Sequence, residues 1–90
     1  MADLNDDRNV NPMIYDAMCE LETRISGQYV AWKREAKTEE EAEYWQREIL
    51  RLSQEVQAVD IDSQSAIDAK RAELRELFAS LPDEAPEVGL

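Results

Sequence analysis

Ala42, Trp45, Ile49, Leu52, Val56 and Val59 recur at spacings of 3, 4, 3, 4 and 3. That repeat places six apolar side chains on one stripe of an α-helix. The start of the helix is marked as well. Thr38 followed by Glu41 fits a capping box, in which each side chain satisfies a free backbone N–H of the first turn. Glu39, Glu40 and Glu41 set negative charge at the positive end of the helix dipole. Neither Gly nor Pro interrupts the run, so the pattern predicts a helix over about 39–59.

A second stripe precedes it. Ile14, Met18, Leu21, Ile25 and Trp32 follow a 4, 3, 4, 7 pattern behind Asn11-Pro12, a capping residue and a proline at the first helical position. This predicts a helix over about 12–36. Gly27 is its weak point, costing ~1 kcal/mol relative to Ala. Because the register carries across Gly27, the reading is an unbroken helix in which the missing side chain lets a neighbour approach closely.

Ala36-Lys37-Thr38 leaves so short a link that the two helices must form an antiparallel hairpin. Partners across it should sum to about 77 in residue number. That pairs Trp32 with Trp45, Gln28 or Tyr29 with Ile49, Ile25 with Leu52, Leu21 with Val56, and Met18 with Val59. One constant aligns both stripes over their length, and it puts the two Trp rings near the closed end, where each indole N–H needs a partner or water.

Asp60-Ile61-Asp62-Ser63 reads as a break, since Asp and Ser favour caps over helix interiors. A third helix follows over about 63–80, with Ile67, Leu74, Leu77 and Phe78 apolar and Lys70 and Arg71 interrupting the stripe. If it folds back on the second helix, partners should sum to about 123: Val56 with Ile67, Ile49 with Leu74, Trp45 with Phe78, Ala42 with Leu81, and Leu52 under the stem of Arg71. The expected fold is all-α: an antiparallel helical hairpin plus a third helix, making a three-helix bundle. If 60–63 does not break, helices two and three become one rod of about forty residues, ~60 Å long. The alternative fold is then a long-hairpin coiled-coil dimer. The expected organisation is a flexible acidic leader at 1–10, a single helical domain at 11–81 and an acidic, irregular tail at 82–90.

Composition narrows the function. The 90 residues carry 21 acids against 10 bases, a formal net charge of −11. Such a field repels a nucleic-acid backbone, whose phosphate contacts need Lys or Arg, so direct nucleic-acid binding is not expected. No stretch approaches the ~20 apolar residues of a membrane span, and the N-terminus lacks the apolar core of a signal peptide. One Cys, Cys19, gives no intramolecular disulfide. The expected location is the cytoplasm.

Chemistry is thin. The chain has no His, which removes the commonest general base and metal ligand. Cys19 reads as a small boundary residue rather than a nucleophile. Asp60 and Asp62 resemble the start of a calcium loop, but loop position 6 is Ser65 rather than Gly and position 12 is Arg71 rather than Glu. Helix capping explains them better. No enzyme, cofactor or metal site is expected.

Surfaces remain. Leu50 sits on a row with Gln46, Ser53 and Gln57 that is otherwise polar, and Tyr44 also lies off the main stripe. Both could flank a wide core stripe, or form an exposed patch for another protein. In the dimer alternative, Leu74, Leu77 and Phe78 would themselves be the interface. The expectation is a non-enzymatic protein-interaction module, binding another protein or itself, of the size and charge of an antitoxin, an immunity protein or a small adaptor. The second reading is an acidic mimic of a polyanion that inhibits a nucleic-acid-binding protein. It needs carboxylates arrayed together, whereas in the sequence they are scattered over three helices and both tails.

Overall fold

The computed structural model describes residues 10–88. They form three helices: α1 (Pro12–Arg34), α2 (Glu39–Gln57) and α3 (Gln64–Ser80). The fold is an all-α three-helix bundle. Of the expected leader at 1–10, residues 1–9 lie outside the described residues, and Val10 is half-buried and packs on the core.

Each start is set by the expected chemistry. Asn11 Oδ1 accepts from Met13 N–H at 2.9 Å, with Pro12 opening α1. Thr38 Oγ1 accepts from Glu41 N–H at 3.1 Å. Glu41 reaches past Thr38 and accepts from Lys37 N–H at 2.9 Å, so only half of the capping box acts on the first turn. Ser63 Oγ accepts from Ala66 N–H at 3.1 Å and starts α3. Asp60 Oδ1 accepts from Asp62 N–H at 2.9 Å, and the backbone closes a turn from Ser63 N–H to Asp60 C=O at 3.0 Å. These bonds make 60–63 a true break, and the continuous rod is excluded by it.

Gly27 does not interrupt α1, which runs for 23 residues. The close neighbour expected there is absent: Gly27 is exposed, and a Cβ would meet nothing within 4 Å.

The hairpin register holds at its closed end. Trp32 and Trp45 lie with ring centroids 4.8 Å apart, and Lys33 Nζ donates to Gln46 Oε1 at 2.6 Å. Tyr29 is buried and stacks on Trp45 at 5.5 Å. The core comprises Met18, Ile25, Tyr29, Trp32, Trp45, Leu52, Val56, Ile67 and Leu74, with all three helices represented.

The seat of α3 differs from the expected one. α1 packs against both α2 and α3, whereas α2 and α3 meet only lightly. Asn11 N–H donates to Gln64 Oε1 at 2.7 Å, tying the start of α1 to the start of α3, so these two helices run parallel at an offset of 53. That offset sets Ile14 level with Ile67, and Leu21 level with Leu74. The apolar face of α1 is wide enough for two neighbours, since Ile14, Tyr15 and Leu21 pack against the core beside Met18 and Ile25. A polar link joins α3 to α2, where Lys70 Nζ contacts Glu55 at 3.3 Å, while its second contact, with Glu73 at 3.2 Å, lies within α3.

Candidate functional site

The outer face of α2 is the one that neither neighbour covers. Its inner stripe, Trp45, Leu52 and Val56, is buried. Leu50 points the other way and is 52% exposed, in a shallow depression with Arg47, Glu48, Arg51 and Gln54. The outward position follows from helical geometry, because Leu50 falls between the turns that carry the core stripe.

The surrounding charges are partly fixed. Arg51 Nη2 and Nε donate to Glu48 at 2.7 and 3.1 Å, and Nη1 donates to Glu55 at 3.1 Å. The hydrogen bond to Glu48 holds the guanidinium above its ordinary value. Arg47 makes no ion pair among the described residues. Leu50 thus sits between one committed cation and one free one. Met13, at 76%, and Ile61, at 62%, are the other large exposed apolar groups among the described residues, but they occupy a helix start and a turn rather than a helix face.

The remaining interface candidates part company with Leu50. Tyr44 is half-buried and meets Trp45 edge-on at 4.9 Å, as a flank of the aromatic cluster. It lies about 120° around the helix from Leu50 at 3.6 residues per turn, so the two do not form one patch. Leu74 is 1% exposed, in the core with Ile67. Leu77 and Phe78 are half-buried against that core. Leu74 thus belongs to the core, and Leu77 and Phe78 line its margin, because α1 offers α3 a seat within the same chain. Cys19 is half-buried, and its neighbour Tyr15 has its phenol pushed up, first by a hydrogen bond to Cys19.

Beside the aromatic cluster lies a small crevice between the three helices, lined by Tyr29, Glu48, Arg51, Leu52, Glu55, Glu73, Leu74 and Leu77. Burial pushes the Tyr29 phenol up, and Glu48 adds to it. Burial pulls the Lys70 ammonium down, but hydrogen bonds to Glu73 and Glu55 outweigh it and leave it raised. On α1, burial raises the Glu22 carboxyl. Among the described residues, the indole N–H groups of Trp32 and Trp45 are buried without a protein acceptor. An unmet donor costs ~1–3 kcal/mol.

One feature escapes the linear pattern. The tail folds back along the α1–α2 connection, and a cleft of about 720 Å³ opens between them. Glu35, Glu40, Glu41, Glu84 and Glu87 line it, with Lys37 as its single cation. Five carboxylates distant in sequence thus gather at one end of the bundle. Only the apolar Ala85 and Val88 hinted at a seat for this segment, and two residues make no period.

Among the described residues, no three His, Cys, Asp or Glu side chains converge as a metal ion would require. No described helix is long and apolar enough to cross a membrane. Compared with known proteins, the chain matches no family model, no curated sequence and no solved structure.

Proposed function

We propose that the chain is a non-enzymatic protein-interaction module, of the adaptor, antitoxin or immunity type, that engages another protein or a second copy through the outer face of α2. The observation that carries this reading is Leu50, a large apolar side chain 52% exposed in mid-helix, on the face turned away from α1. A single exposed Leu is ordinary on its own. Here its neighbours give it a polar rim, and the bundle needs no contribution from it, since the core closes without it. The test is quantitative binding of partners captured by the intact chain, compared with Leu50→Asp over a range of salt. An apolar anchor lost to a buried charge weakens binding roughly tenfold or more, about 1.4 kcal/mol. Binding unchanged by Leu50→Asp sinks this reading.

A second reading gains support from the closed end. The carboxylates of Glu35, Glu40, Glu41, Glu84 and Glu87 surround one cleft, and such an array suits a polyanion mimic directed at a basic nucleic-acid-binding protein. It requires steep salt dependence and loss of binding on neutralising those groups. Salt-insensitive binding that depends on Leu50 decides against it.

A further inference from the structure

At Leu81 the backbone leaves the helix for an extended conformation, φ −69° and ψ 129°, and Pro82 follows. Residues 82–88 then run without helix or strand along the α1–α2 connection, with Glu84–Val88 forming one wall of the acidic cleft. Leu81, Ala85 and Val88 are half-buried against the core. Among the described residues, no hydrogen bond or ion pair joins 82–88 to the helices. The segment is seated by apolar contact alone. Across the cleft, Glu84 and Glu87 face Glu35, Glu40 and Glu41 with Lys37 as the only counter-charge, so the field at neutral pH pushes the segment off its seat.

We propose that residues 82–88 form a displaceable strap over the aromatic end of the hairpin, seated by Leu81, Ala85 and Val88 and loosened by repulsion between the carboxylates on its two sides. Trp32 and Trp45 are the core residues nearest that end, and both have indole N–H groups without an acceptor. Lifting the strap opens these buried donors to solvent. The ionic strength around the protein sets the balance, because screening weakens the repulsion and leaves the apolar seat in place. This inference stands apart from the Leu50 face, which lies on the outer side of α2.

Tryptophan fluorescence of the full chain tests it, since Trp32 and Trp45 are its two tryptophans. Emission and acrylamide quenching are followed from about 0.01 M to about 1 M NaCl, over which the screening length falls from ~30 Å to ~3 Å. Rising salt shifts wild-type emission to shorter wavelength and reduces quenching. The double variant Glu84→Gln, Glu87→Gln shows the short-wavelength state at low salt already and responds little further. Val88→Asp stays at long wavelength throughout, with its helical circular dichroism intact. The strap is overturned if wild type and the Gln variant share one emission maximum and one salt response. It is equally overturned if a folded Val88→Asp emits as wild type does. Should Val88→Asp lose its helicity, the Gln variant decides alone, because it removes charge without touching the seat.

Discussion

The two ends of this bundle are held by different forces. At the closed end, Tyr29, Trp32, Tyr44 and Trp45 pack ring on ring with centroids 4.8 to 5.8 Å apart, and two indole donors go unmet. At the open end no ring stacks on another among the described residues. Asn11, Asp60 and Ser63 cap or turn the backbone, and Gln64 Oε1 bridges α3 to Asn11 N–H at 2.7 Å. One end is aromatic burial with polar groups left over, and the other joins aliphatic burial around Met18 and Ile67 to satisfied backbone groups. Buried area should therefore dominate the response to mutation at the closed end, and single hydrogen bonds should add to it at the open end.

Trp45→Ala gives the largest expected effect. It removes a ring that three other aromatic groups touch, and large-to-small changes of this kind cost ~3–5 kcal/mol. For a chain of this size that approaches the whole stability. Denaturant titration should find the variant largely unfolded; a loss under ~1 kcal/mol would break the contrast between the ends. At the other end, Ser63→Ala deletes the cap of α3 and should cost ~1 kcal/mol, with the same titration resolving a cooperative transition. A loss as large as that of Trp45→Ala would show that α3 depends on its start more than on its seat.

The smallest effect sharpens the comparison through pH. Burial raises the Tyr29 phenol above its ordinary value of 10.0. In the window between the unfolded and folded values the native state binds the extra proton, so its contribution is complete below about pH 10 and is lost as pH rises through the folded value. Stability should decline there in wild type, and part of that decline should vanish in Tyr29→Phe. An unchanged alkaline limb would mean that the ring is more open to water than its packing indicates.

Much of the bundle was legible because its signals are local. The stripe of α2, the caps Asn11, Thr38 and Ser63, and the pairing of Trp32 with Trp45 each follow from residues a few positions apart, or from a link too short to allow another course. The seat of α3 was not legible in the same way. Connectivity makes it antiparallel to α2, but which helix it leans on depends on the breadth of the apolar face of α1, and a one-stripe reading understates that breadth. The register allows either Gln28 or Tyr29 opposite Ile49, and Tyr29 is the one that enters the core. Gly27 illustrates a weaker inference: continuity of the helix follows from register, whereas a close neighbour does not. For the candidate site, Leu50 stood out as an apolar residue on a polar row. Tyr44 and the α3 trio did not separate from core residues without knowledge of α1. The carboxylates at the closed end were invisible, because their meeting depends on where an aperiodic tail comes to rest.

α1 completes the core within one chain by holding α2 on one side and α3 on the other, leaving the outer face of α2 free. Methyl NOEs on a sample mixing labelled and unlabelled chains test it most directly. Intramolecular contacts at the parallel offset, Ile14 with Ile67 and Leu21 with Leu74, are expected in every labelled chain. If these contacts appear only between chains, or Ile67 and Leu74 contact α2 alone, α3 does not seat on its own α1 and the surface available to a partner is a different one.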